Sequence, residues 1–163
     1  MGPTEFNQLV AYSAWATDRI LATCEPLTPE AFAQPVTPDP GWGSLRGLLV
    51  HALDAEYGWR TVLEGESDSG VLEEIDFPDV ATLRTRWAEE HAAWARFAAA
   101  LTPERLADGY GERPDDGPRV WQTIMHVLFH SAQHRSEAAA ILTGMGHSPG
   151  ELDLDVYLRA TQG

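Results

Sequence analysis

Proline and glycine divide this chain into four long segments in which apolar residues recur with the spacing of an α-helix. The predicted helices run from about Thr4 to Cys24, Ser44 to Glu64, Asp79 to Leu101 and Val120 to Leu142. Few stretches alternate apolar and polar residues, which is the pattern of a half-buried strand. We therefore predict an all-α fold, a four-helix bundle with a short C-terminal helix over residues 151–159.

The helix starts and the connections carry local signals of their own. Thr4 and Ser44 precede apolar periodic residues and are the predicted N-caps of the first two helices. Proline-rich or polar connections at 26–43, 65–78 and 102–118 are predicted to be loops, the last with a short extended piece around Tyr110. Binding specificity usually depends on such loops. They are also the part of the chain whose structure the sequence predicts least.

Length and charge limit the class of protein. The 163 residues fit a single domain over 1–163, long enough for a full core. A net charge of −14 argues against DNA and against an anionic membrane surface as partners. The single cysteine excludes an intrachain disulfide, and neither a basic-then-apolar leader nor a membrane-length apolar run is visible. We expect a cytoplasmic protein whose partner is a small molecule.

Three of the six histidines, His126, His130 and His134, recur every fourth residue of the last long helix. Neutral imidazole is the commonest protein ligand for zinc, nickel or copper. The outer two histidines are about 12 Å apart along a helix axis, which is too far for one ion to bind both. The apolar stripe of this helix lies closest to His134 and farthest from His126. We therefore predict that His130 and His134 bind the metal and that His126 lies outside.

His51 provides a third imidazole, at the margin of the apolar stripe of the second helix. His91 lies in a charged segment and His147 in a glycine-flanked turn, so both are expected to be exposed to solvent. Three histidines from two helices would leave a coordination position open for water or substrate, as in catalytic sites. The alternative is that these are ordinary helix-edge histidines, because isolated pairs at this spacing often arise from packing or chance.

Other side chains are weaker candidates for the surroundings of the metal. Asp54 and Glu56 could orient an imidazole, although helix carboxylates are more commonly solvated. Arg135 could meet a substrate carboxylate or a core acid, and Cys24 has no basic neighbour that would make it a nucleophile. Aromatic residues could line a pocket above the metal or simply pack in the core: Trp15, Trp42, Trp59 and Trp121.

Four motifs in a fixed order carry a resemblance to a known family. They lie at Tyr12 to Arg19, at Gly43 to His51, at His126 to Arg135 and at Gly146 to Asp153. Taken together, the chain resembles the DinB/YfiT-like family of metal-binding four-helix proteins almost from end to end. It departs at Ser136 and Glu137, where the family often has Gly-Gln.

The resemblance implies a function as well as a fold. By position, the family's metal ligands fall on His51, His130 and His134. Characterised relatives include S-transferases and isomerases that use low-molecular-weight thiols such as bacillithiol or mycothiol, and homodimers are common among them. The expectation is an enzyme that uses a zinc- or nickel-bound thiol or water on a small electrophile. Alternatives are a metal-dependent hydrolase, a non-catalytic dimeric bundle that binds a metal or ligand, and a helical protein with packed histidines.

Overall fold

In the computed structural model of the protein, every regular element among the described residues is helical. The structure describes residues 1–66, 70–111 and 115–162. Within these ranges lie seven α-helices and one 3-10 helix: α1 (Pro3–Cys24), α2 (Pro29–Ala33), α3 (Leu45–Glu64), the 3-10 helix (Glu74–Asp76), α4 (Val80–Ala99), α5 (Pro103–Ala107), α6 (Val120–Gly144) and α7 (Leu154–Gln162). Extended pairing in these ranges is limited to two isolated bridges, Pro35 with Ser44 and Gly109 with Arg119. The all-α prediction is confirmed.

The four long helices α1, α3, α4 and α6 form a helical bundle in which α1 and α3 each pack against both α4 and α6. Their bounds agree with the sequence prediction to within a few residues. The short helices α2 and α5 were missed inside the predicted loops, and α7 lies about three residues beyond its predicted range. None of the helices among the described residues is both long and apolar enough to span a membrane.

The helix starts follow from their capping residues. The Ser44 hydroxyl accepts a hydrogen bond from the Gly47 N–H at 3.0 Å, which confirms its predicted role as an N-cap. The predicted cap at Thr4 is wrong, because α1 begins one residue earlier at Pro3. The missed helices also begin with a threonine cap followed by proline, and the hydroxyls of Thr28 and Thr102 accept the capping bonds.

The interior consists of two apolar clusters. One contains residues near the C-terminal end of α1 and the start of α3, including Leu21 and Leu48, and the other contains residues near the opposite ends, including Phe6 and Leu63. Between them, at mid-helix, lies a set of buried polar side chains that we call the central polar layer: Ser13, Thr17, Glu56, Arg60, Glu90, Ser131 and Arg135. Each long helix therefore contributes both apolar and polar residues to the core.

Side chains of the central polar layer are paired with one another. The Arg60 guanidinium donates to both carboxylate oxygens of Glu90, at 2.5 and 3.0 Å. Arg135 donates to the Ser13 hydroxyl at 2.7 Å. Burial raises the pKa of the Glu56 carboxyl, while nearby His91, the bond from Ser131 and the charge of Arg135 oppose this shift. Such pairing is required because a buried polar group without a partner is costly.

The segment before α3 is held tightly against that helix. One carboxylate oxygen of Asp39 accepts hydrogen bonds from the backbone N–H groups of Gly41, Trp42 and Gly43, at 2.8 to 2.9 Å. This places the Trp42 carbonyl oxygen where a Cβ atom on Gly47 would lie only 2.2 Å from it. Gly47 is therefore required for the close approach of the segment that carries Trp42.

We expect Gly47→Ala to lower the free energy of unfolding by about 1–3 kcal/mol, because the new methyl group must displace backbone rather than a flexible side chain. Chemical denaturation measures the change. Gly144→Ala is the matched control, since Gly144 is also helical and no described atom lies within 4 Å of its added Cβ. This control should be neutral or stabilising by about 0.4–1 kcal/mol. Equal effects of the two substitutions would contradict the packing argument.

Candidate metal centre

The packing of α3 against α6 brings together the three histidines that the sequence singled out. The Nε2 atom of His130 lies 3.3 Å from Nε2 of His51 and 3.1 Å from Nε2 of His134. The candidate ligand atoms of all three lie within 4.8 Å of one another. We call these residues the histidine cluster. His126 is exposed and outside it, with its ring against Trp59 at a centroid distance of 5.5 Å.

The two Nε2–Nε2 distances to His130 are close to those expected around a shared divalent ion. Nε2 of His130 has either one hydrogen or one lone pair, so it cannot form good hydrogen bonds with both neighbouring Nε2 atoms. A tetrahedral ion with bonds of about 2.0–2.1 Å to nitrogen would hold its ligand nitrogens about 3.3 Å apart. The donor set therefore suits a metal better than a purely hydrogen-bonded imidazole cluster.

The environment favours the neutral imidazole that metal binding requires. Burial, followed by the nearby His134 and His51, lowers the pKa of His130 to about 4. Burial and His134 also lower the pKa of His51. Both shifts favour the neutral ring, the form that can offer a lone pair to a metal ion.

Glu137 fixes the orientation of one histidine. Its Oε2 atom lies 2.7 Å from Nδ1 of His134, whose side chain is nearly buried. Its other oxygen accepts a hydrogen bond from Gln133 at 3.0 Å. In the neutral ring, a proton on Nδ1 facing this carboxylate places the lone pair of His134 on Nε2, toward His130. The sequence marked Glu137 only as a departure from the family pattern, although its position three residues after His134 places both on one helix face.

Trp42 covers one side of the histidine cluster. Its ring stacks on the His51 ring at a centroid distance of 3.4 Å and an angle of 10°. It also meets the His134 ring edge-on at 6.2 Å. Of the four tryptophans considered as pocket residues, Trp42 contacts the cluster. Trp15 instead packs against Tyr12 and Tyr157.

The remaining candidates have other partners. Asp54 accepts a hydrogen bond from the Leu72 N–H at 2.7 Å, so its observed role is to hold a loop rather than an imidazole. Glu56 accepts from Ser131 at 2.5 Å within the central polar layer, and it does not orient His51. Arg135 contacts Ser13, which places it in the core rather than at a substrate.

His91 corrects a prediction about exposure. Its side chain is only 12% exposed, with Nδ1 lying 3.4 Å from a carboxylate oxygen of Asp18. The charged neighbours of His91 suggested a solvated segment, but Glu90 is itself fully buried against Arg60. His147 is half-buried, which also differs from the predicted exposure.

A cleft is lined in part by Glu137, the residue whose carboxylate contacts His134. It has a volume of about 480 Å³ and lies between residues 34–40 and the C-terminal half of α6. Its lining is largely apolar and includes Pro38, Ile141 and Met145. The volume is in the range of small-molecule sites.

Cys24 lies away from this chemistry. Its side chain is fully buried among apolar residues, and burial raises the pKa of its thiol to about 12. A thiol with such a pKa is almost entirely protonated at neutral pH and is a poor nucleophile. This agrees with the sequence-based interpretation of Cys24 as a core or surface cysteine without a catalytic role.

Comparison with known proteins places this architecture in a family. Protein DinB of Bacillus subtilis (strain 168) is 22% identical to this chain over 169 residues, an alignment that covers 95% of this chain and 94% of that protein. The sequence profile of the DinB family matches residues 1–163. The match covers the four motifs and the histidine cluster. The chain is a member of the DinB family.

Proposed function

We propose that this protein is a metal-dependent enzyme that uses or transfers a low-molecular-weight thiol on a small electrophilic substrate. The observation that carries the proposal is the convergence of three Nε2 atoms from α3 and α6 in a geometry suited to one divalent ion. Such an ion, when bound, would lower the pKa of a thiol and favour the nucleophilic thiolate at neutral pH.

Three imidazoles are a suitable set of ligands for zinc or nickel and favour an anion as the next ligand. Imidazole is a good ligand for either metal, so the three histidines do not choose between them. Because all three ligands would be neutral, the full charge of the ion would remain to attract a thiolate. The open position expected with three protein ligands is the feature that separates catalytic from structural zinc sites.

The surrounding side chains would prepare the site for such a substrate. Glu137 orients His134, and Trp42 shields one face of His51 from water. The cleft lined in part by Glu137 would take the small molecule. The reactive thiol would have to come from outside the protein, because Cys24 is buried and its pKa is raised to about 12.

Two alternatives remain as proposals of a different kind. A hydrolase would use water in place of the thiol at the same site. A non-catalytic, dimeric bundle that binds a metal or ligand would use the site without turnover. For either function we propose a homodimer, and the exposed apolar side chains of Trp59, Val62 and Phe129 on α3 and α6 offer surface that a second copy would cover.

Metal analysis of the protein purified without a histidine tag is expected to give about one zinc or nickel ion per chain. Alanine at His51, His130 or His134 should remove most of this metal, because two imidazoles hold an ion far more weakly than three. His126→Ala is the matched control on the same helix and should keep the metal. Full occupancy in the His130→Ala protein would overturn the assignment of the site.

Glu137→Ala is expected to weaken metal binding by about 10–100-fold, since the orientation of His134 and its tautomer would no longer be fixed. Competition with a chromophoric chelator measures the dissociation constant. Ser136→Ala is the control, because the Ser136 hydroxyl bonds to the backbone of its own helix and is exposed. Unchanged affinity in Glu137→Ala would show that the contact with His134 does not support metal binding.

The metal-loaded protein is expected to accelerate the consumption of bacillithiol or mycothiol by an electrophile such as monobromobimane, and chelation should abolish the acceleration. Activity should fall to background in His130→Ala and persist in Cys24→Ala. Hydrolysis of a nitrophenyl ester without any thiol would favour the hydrolase instead. Full metal occupancy with no turnover in either assay would favour the non-catalytic bundle.

A further inference from the structure

A small cavity, separate from the histidine cluster, lies beside Ser13 and Glu56 of the central polar layer. Its volume is about 20 Å³, and its lining includes side chains from all four long helices. The polar members are Ser13 on α1, Glu56 on α3, and His91 and Trp94 on α4. Apolar residues complete the wall: Val10, Ala14, Ile124, Val127 and Leu128.

Two of the polar groups on this wall are buried and unsatisfied. The indole Nε1 of Trp94 and the imidazole Nε2 of His91 have no hydrogen-bond partner among the residues that the structure describes. Trp94 is only 4% exposed, so bulk water does not serve its N–H group. A buried polar atom without a hydrogen-bond partner costs about 1–3 kcal/mol, which makes two such atoms on one small cavity unusual.

Glu56 provides the complementary capacity to accept. Its side chain is 5% exposed and its Oε1 atom accepts one bond, from Ser131. A carboxylate has about four lone-pair sites, so acceptor capacity remains. The cavity lining therefore includes a donor, Trp94 Nε1, an acceptor, Glu56, and His91 Nε2, which donates or accepts according to its tautomer.

The size of the cavity limits its occupant. A single water molecule needs about 10–15 Å³ of accessible volume and two to four polar partners. The cavity meets both requirements, and it is too small for any organic ligand. Most of its wall is apolar, so the unpartnered atoms of Trp94 and His91 and the carboxyl of Glu56 are what distinguish it from cavities that stay dry.

We propose that this cavity is a binding site for one buried water molecule, which accepts a hydrogen bond from Trp94 Nε1 and bridges Glu56 to His91 Nε2. The water completes a chain of polar contacts that begins at the exposed Asp18, passes through His91 and Glu56, and ends at Ser131. It thereby joins α1, α4, α3 and α6 at mid-bundle. Ser131 directly follows His130, so the chain ends beside the histidine cluster.

A crystal structure of the full-length protein at a resolution that shows ordered water tests the site. The expected result is one density peak within about 2.7–3.2 Å of Trp94 Nε1 and of a Glu56 oxygen. Crystals pressurised with xenon should show no xenon there, because the occupied polar cavity excludes it. An empty cavity, or one that binds xenon, would overturn the proposal, as would a direct bond between His91 Nε2 and Glu56 that closes the cavity.

Paired tryptophan variants test the bonding of the water. Trp94→Phe removes the donor on the cavity wall, and its crystal structure should show the water lost or displaced. Trp87→Phe is the matched control, because Trp87 Nε1 is also buried without a partner among the described residues but does not line the cavity. The control should keep the water in place. A peak unchanged in Trp94→Phe would show that the indole does not bind it.

Discussion

The close packing of α3 against α6 is the constraint on which the rest of the site depends. It brings Nε2 of His51 within 3.3 Å of Nε2 of His130, although 79 residues separate them in the chain. The position of His134 beside His130 then follows from helix periodicity, since four residues advance the chain by about one turn. A shift of one helix by a single residue would separate the imidazoles, so the core that fixes this packing also fixes the chemistry.

That core is unusual in the position of its polar groups. The central polar layer lies between two apolar clusters. Each buried charge there needs a charged or polar partner at the same level of the bundle on another helix. The pair of Arg60 and Glu90 joins α3 to α4, and Arg135 with Ser13 joins α6 to α1. Directional bonds of this kind specify which helix faces which, whereas apolar contacts alone would tolerate several arrangements.

The sequence predicts what is local and leaves open what depends on distant partners. The long helices follow from apolar periodicity, and the choice of His130 and His134 follows from their place beside the apolar stripe of α6. The burial of His91 and Glu90 was missed because their partners Asp18 and Arg60 lie far away in the chain. The same applies to Trp15: predicting its packing against Tyr157 would require knowing where α7 folds back. By contrast, α2 and α5 were missed although the sequence carries a local signal for them, since each begins with a threonine followed by proline.

The stacking of Trp42 on His51 has an optical consequence. Indole emission is quenched by heavy or paramagnetic ions at short range, and the Trp42 ring lies 3.4 Å from an imidazole of the histidine cluster. The segment that carries this ring is fixed by Asp39 and by the close approach at Gly47, so the ring is held in a defined position. A paramagnetic ion such as Ni²⁺ in the cluster would therefore quench the emission of a side chain already in place. Trp42 fluorescence would then report whether such an ion occupies the histidine cluster.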